Sequence, residues 1–211
     1  NLSDSTITEN NISSTIIGIL SVSDLDDGNT HTMSLEPGNT DNDKFEIIGT
    51  LLKTTEVLNF EAKEDYNLSM SVFDGVNTVS LDLVVTVLDI NEGPTALSLS
   101  SLTIDENLGV DEEIGTLNTT DEDTSDTHTY TLVSGFEDND HFNILGDKLR
   151  ANAGLNFESK SSYTVRVETN DGAESFEKTL NLTVNDKNDT PSDIAFSNLT
   201  SEENAPSGTM V

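Results

Sequence analysis

DINEGP at residues 89–94 and DKNDTP at residues 186–191 share one skeleton, D-x-N-[DE]-x-P, at a spacing of 97 residues. Each is rich in side-chain oxygen and closes on a proline, which has no N–H to donate to a sheet. Each therefore reads as punctuation between folded units. Working outward, the same spacing of 97 returns for Glu9-Asn10 with Glu106-Asn107, for LNFE at 58–61 with LNFE at 155–158, and for Pro94 with Pro191. Between these anchors Asp24 and Asp26 return as Asp121 and Asp123, Phe45 as Phe142, Tyr66 as Tyr163, and Asp74-Gly75 as Asp171-Gly172. No gap is needed, so the chain is a tandem repeat, and the period sets the fold. A third unit starts after Pro191, carries Glu203-Asn204 in register, and stops at Val211.

Within each unit the apolar residues alternate. Tyr66, Leu68, Met70 and Val72 form one period-two run, and Val79, Leu81, Leu83, Val85 and Val87 form another. The second unit repeats this with Tyr163, Val165, Val167 and then Leu180, Leu182, Val184. Such alternation marks half-buried strands, and no helical spacing of comparable length competes. Several short strands between Gly, Asn and Asp clusters predict an all-β fold of tandem antiparallel β-sandwiches. A unit of about 100 residues buries roughly 60–65% of its unfolded surface, enough to fold with a thin margin. Phe45, Phe60 and Tyr66, with Phe142, Phe157 and Tyr163, occupy equivalent places and are predicted to be core.

The charge narrows the function. Nine Lys and Arg stand against 40 Asp and Glu, a formal charge of -31. Nucleic acid and anionic lipid are repelled by such a surface, and the compact state is strained by self-repulsion unless cations bind. There is no Cys, so neither disulfides nor thiolate metal sites are available. No run of about 18 apolar residues suggests a membrane span, and Asn1 opens inside a repeat, as expected of a piece of a longer protein.

A solvated face requires only a density of charge, yet particular acids recur in register. Common descent would also conserve them, but the units differ widely elsewhere, as in residues 11–16 against 108–113. Two bare carboxylates about 4 Å apart repel by roughly 4 kcal/mol at an effective dielectric of 20, so a gathering of several calls for a cation. Carboxylates, Asn side-chain oxygens and backbone carbonyls are hard donors that suit Ca²⁺ better than Mg²⁺ or Zn²⁺.

The set of E-N, D-x-D, L-N-F-E, D-G and a closing D-x-N-[DE]-x-P resembles the extracellular cadherin repeat. The phrases NTHTMSL and DTHTYTL, and DNDKFEI and DNDHFNI, are most similar to the cadherin-like repeats of large bacterial surface adhesins. The resemblance implies cadherin-like Greek-key sandwiches of seven strands each, stacked end to end, with repeat 1 at 1–93, repeat 2 at 94–190 and a truncated repeat 3 at 191–211. It also implies Ca²⁺ at each junction. At the first, the upper repeat would supply Glu9, Asn59, Glu61, Asn91 and Glu92 with backbone oxygens of Ile90 and Gly93, and the lower repeat Asp121, Asp123 and Asp171. The second would use Glu106, Asn156, Glu158, Asn188 and Asp189, while Asp24, Asp26 and Asp74 would serve a preceding repeat. Asn59 and Asn156 stand where the family has Asp, Glu92 where it has Asp, and Gly93 where it has Asn.

The leading functional expectation is a calcium-rigidified extracellular spacer of a cell-surface or secreted adhesin, whose first partners are neighbouring repeats of its own chain. The alternative is a calcium-dependent binding module for a cell-surface polysaccharide or glycan, or for another adhesin copy in homophilic cell-cell adhesion. The absence of Trp and an aromatic content of 5% weigh against a sugar platform. An enzyme is not expected: paired acids for glycoside cleavage need an open cleft, and His31 and His128 recur in T-H-T as strand or turn residues.

Overall fold

The alternating stretches fold as strands, and the two repeats do so in the same order. The structure is a computed structural model that describes residues 1–25, 30–39, 41–191, 193 and 207–208; Asp26 and the Glu203-Asn204 pair lie outside the described residues. The chain divides into two compact units. The first takes Asn1–Thr95 with the loops Thr120–Thr127 and Asn170–Ser175, and the second takes Ala96–Thr119, His128–Thr169 and Phe176–Val211.

Among the described residues of the first unit seven strands form two sheets. One sheet has β1 (Thr6–Thr8), β7 (Thr78–Leu88), β6 (Asp65–Phe73) and β3 (Thr32–Leu35) in that order; the other has β2 (Ile16–Ile19), β5 (Leu51–Thr54) and β4 (Phe45–Ile48). The long hairpin β6–β7 runs in unbroken antiparallel register from Asp65↔Thr86 to Phe73↔Thr78. Tyr66, Leu68 and Met70 on β6 and Val85 and Val87 on β7 point inward, where they meet Ile17, Leu20, Phe45, Leu52 and Leu58. Phe45 and Tyr66 touch edge to face at 5.5 Å, as do Phe142 and Tyr163 at 5.6 Å in the second unit, so these aromatics are core residues.

Among the described residues the second unit has eight strands: β8 (Ala96–Leu99), β9 (Thr103–Asp105), β10 (Glu113–Thr120), β11 (Thr129–Leu132), β12 (Phe142–Leu145), β13 (Lys148–Ala151), β14 (Ser162–Asn170) and β15 (Ser175–Asn185). They pair as β12-β13-β10-β8 and β11-β14-β15-β9. The eighth arises because the opening strand changes sheets: β8 lies beside β10, whereas β9 runs parallel to β15. In the first unit the same crossing leaves only a bridge, Leu2↔Leu20, before β1 pairs parallel with β7. The crossing chain needs a close approach. A Cβ on Gly18, at the bulge of β2, would sit 2.6 Å from the Asp4 carbonyl oxygen.

Two one-turn helices, Asn42–Lys44 and Asn139–His141, precede β4 and β12. Their D-N-D sequences owe their recurrence to hydrogen bonding. Asn42, 5% exposed, donates to the carbonyls of Glu36 and Ser69 at 2.7 Å each and accepts from the Ser69 N–H at 3.1 Å. Asn139 does the same with Val133 and Arg166. Asn42→Ala removes the partners of the Glu36 carbonyl and the Ser69 N–H, while the Ser69 carbonyl keeps the Glu36 N–H, so it is expected to lower unfolding free energy by about 2 kcal/mol, read as a fall in the urea midpoint of the first unit.

Candidate metal centre

Glu9 follows β1 and is 2% exposed, yet it is a carboxylate. Burial of such a group is tolerated only when its oxygens are satisfied. One oxygen accepts the Phe60 N–H at 2.9 Å, in the LNFE turn, and the other accepts the Ile90 N–H at 2.8 Å, in the linker after β7. Glu106 repeats this with Phe157 at 2.9 Å and Lys187 at 2.6 Å, and these two N–H donors hold its carboxyl below the usual range. The following Asn10 and Asn107 have φ of 52° and 61°, a left-handed conformation that Asn adopts more readily than most residues. That turn aims the Asn10 amide at the Glu92 carboxylate and the Asn107 amide at Asp189, the latter at 2.8 Å.

Other acids gather around this anchor in the first unit. Glu9, Glu61 and Asp89 have carboxylate oxygens within 4.8 Å of one another, and so do Glu61, Glu92 and Asp123. Asp123 is 7% exposed and accepts the Glu92 N–H at 2.8 Å. Its neighbour Asp121 accepts the Asp123 N–H at 3.3 Å. Asp171 closes a turn by accepting the Ala173 and Glu174 N–H groups on one oxygen, and accepts the Asn91 amide on the other at 3.1 Å. Those turn donors hold Asp171 below the ordinary carboxylate range, whereas burial, reinforced by neighbouring acids, pushes Glu61 and Asp89 up.

Not every residue singled out in the sequence joins the cluster through its side chain. Asn59 accepts the Ala62 N–H at 2.6 Å and donates to Glu122 at 2.5 Å. Ile90 contributes its N–H to Glu9, and Gly93 its lack of a side chain: a Cβ there would lie 2.9 Å from the Glu174 Cβ. Asp89, which opens the D-x-N skeleton, joins Glu9 and Glu61 beyond the residues that the family resemblance implies. In the second unit Glu106, Glu158 and Asp189 gather within 4.8 Å. There Asn156 accepts the Ser159 N–H at 2.7 Å and Asn188 donates to the Asp189 carbonyl at 3.1 Å. At the other end of the first unit Asp24, Asp74 and His31 line one open pocket, with His31 Nε2 at 2.8 Å from Asp24. Asp74 is engaged like Asp171, accepting the Val76 and Asn77 N–H groups at 2.7 and 2.6 Å.

What the cluster can do chemically follows from one atom. Oε2 of Glu92 is buried and has no hydrogen-bond partner. All the surrounding donors are hard oxygens, the set that suits a calcium ion.

Comparison with known proteins places the fold. No family model matches the chain. It is 32% identical to human Protocadherin Fat 4 over 116 residues, which cover 53% of this chain and 2% of that protein. It is 31% identical to mouse Protocadherin-20 over 207 residues, 90% of this chain and 21% of that protein. The chain thus spans a small part of these relatives. The crystal structure of the Protocadherin GammaB4 extracellular domain superposes with a TM-score of 0.71 at 23% identity, covering 89% of this chain and 32% of that one. The fold is that of cadherin ectodomain repeats.

The crowding has a consequence for pH. Burial first, then Glu9, Asp123, Glu61 and Glu122, push the Glu92 carboxyl from 4.5 up to about 7. The folded state then holds a proton that the unfolded chain releases earlier, so stability falls as pH rises between these values. Without metal, the melting temperature is expected to drop between pH 4.5 and 7 and to level above, and Glu92→Gln to flatten most of that slope.

Proposed function

We propose that this chain, which has the repeat sequence and sandwich fold of the cadherin superfamily, is a calcium-stiffened extracellular segment of a larger cell-surface adhesion protein. The observation that carries the reading is the buried, unpartnered Glu92 oxygen among Glu61, Asp123 and the Glu9 anchor. Gathered acids of this kind repel unless a cation neutralises them. Glu9, Glu61, Glu92 and Asp123 would hold calcium, with Asp89, Asn91, Asp121 and Asp171 at hand. Glu106, Glu158 and Asp189 would hold it in the second unit, with Asn156 and Asn188 beside them. Asp24, Asp26 and Asp74 would do so for a repeat before the first.

Calcium, when bound, would neutralise the carboxylates that separate loops bring together. The chain's own residues do the rest: Glu9 fixes the linker to the LNFE turn, Asn10 orients Glu92, and Asp123 is delivered by the loop after β10. In this reading the repeats are 1–93 and 94–190, the linker between them is the hinge that calcium locks, and the acids serve rigidity rather than catalysis. The NTHTMSL and DNDKFEI phrases suggest a bacterial adhesin, a setting we propose beside relatives that come from animals. Calcium-dependent self-adhesion is the second reading, favoured by the kinship with protocadherins; a glycan remains the less supported partner.

Extracellular calcium modules work at about 10⁻⁴ to 10⁻³ M. A site held at 100 times its dissociation constant adds about 2.7 kcal/mol to stability. Small-angle scattering is therefore expected to show a longer, stiffer particle with millimolar calcium than with chelator. Asp123→Ala should abolish much of that gain while both units stay folded; an unchanged profile and melting temperature on chelation would overturn the reading.

A further inference from the structure

Asn59 stands where the family has an acid, and its amide does what an acid could not. It is half-buried in the LNFE turn, two residues before Glu61. Its side-chain oxygen accepts the Ala62 N–H at 2.6 Å, and its backbone carbonyl accepts the Lys63 N–H at 3.1 Å. Because the Ala62 N–H needs an acceptor, this bond fixes which way the amide faces. The nitrogen is turned away from the turn and donates to the Glu122 carboxylate at 2.5 Å, across 63 residues of sequence.

Glu122 is the middle residue of the D-E-D run at 121–123. Its own side chain is exposed, but the next residue, Asp123, is buried and joins Glu61 and Glu92 in the cluster. The loop Thr120–Thr127 packs in the first unit. It is held there by direct bonds: the Asn59 amide on Glu122, and the Glu92 N–H on Asp123 at 2.8 Å. Against these bonds, the carboxylates of Glu61, Glu92 and Asp123 repel one another. An acid at position 59 would add to that repulsion, whereas an amide donates to a carboxylate, a bond that the charge strengthens. We propose that Asn59 is a positioning residue: through Glu122 it holds the loop that carries Asp123 over Glu61 and Glu92 before any ion binds. An arriving ion then meets donors already gathered, and bonds in the shell outside the ligands set metal affinity in this way. The effect on affinity rests on the calcium reading above; the hold on the loop does not.

Hydrogen exchange read by mass spectrometry tests the hold directly. In chelator the 120–127 segment is expected to exchange slowly in the unaltered chain. It should exchange about tenfold faster in Asn59→Asp, which keeps an acceptor for the Ala62 N–H but sets acid against Glu122. Adding Glu122→Gln returns a donor to the pair and should restore slow exchange, which would not happen if residue 59 only shaped its own turn. Asn59→Ser keeps an oxygen for the turn and is too short to reach Glu122. In calcium titration it should bind about tenfold more weakly, with an unchanged circular dichroism spectrum. Equal exchange in Asn59→Asp and the unaltered chain, a double variant that is not rescued, or full calcium affinity in Asn59→Ser would each overturn the proposal. If the unaltered chain binds no calcium, the calcium reading falls, while slow exchange in chelator that Asn59→Asp abolishes and Glu122→Gln restores still upholds the hold on the loop.

Discussion

Glu9 and Glu106 impose the constraint on which each repeat turns. A carboxylate with almost no exposure must have both oxygens engaged, and here one takes an N–H from the LNFE turn and the other an N–H from the linker. Three segments distant in sequence are thereby held to one point. The acids at their tips, Glu61 and Asp89 in one unit and Glu158 and Asp189 in the other, are carried together as a by-product. Sheet pairing alone would bring the strands together without saying where the loops at their ends must lie.

The same anchor is completed differently in the two units. In the second, the linker acid Asp189 itself joins Glu106 and Glu158; in the first, Asp89 takes that place beside Glu9 and Glu61. The linker acid there, Glu92, is one methylene longer and associates instead with Glu61 and Asp123, while its other oxygen meets the Asn10 amide. A duplicated motif has thus produced two distinct arrangements of charge, and only in the first is a buried carboxylate oxygen left without a partner among the described residues.

Much of this was legible in the sequence because it is periodic or repeated. Alternation along β6, β7, β14 and β15 announced the sandwich, and the recurrence of Glu9, Glu61, Asp123 and the linker acids announced a cluster. The rest depends on tertiary approach, which has no local signature. Asn10 looked like part of a motif, but its role comes from a left-handed backbone that turns its amide toward the linker. Asn59 looked like a ligand, but the Ala62 N–H and Glu122 occupy its amide. Gly93 stands where the family has Asn, and the closeness of Glu174, which leaves no room for a side chain there, has no mark in the sequence. The middle Asn of each D-N-D run is buried and bonded to three backbone groups, which nothing local in the sequence marks.

The parallel seating of β1 on β7 matters for a chain that is pulled. β1 is the first strand of its unit and β7 the last, and their register is Thr6↔Thr86 through Thr8↔Leu88; β9 and β15 repeat this arrangement. Tension on the two ends drags such neighbours past each other along their length, so the bonds between them load together instead of opening one after another. Resistance to rupture under force is set by the rate of unfolding, and this geometry places the barrier at the terminal strands, where a tethered chain first feels the load.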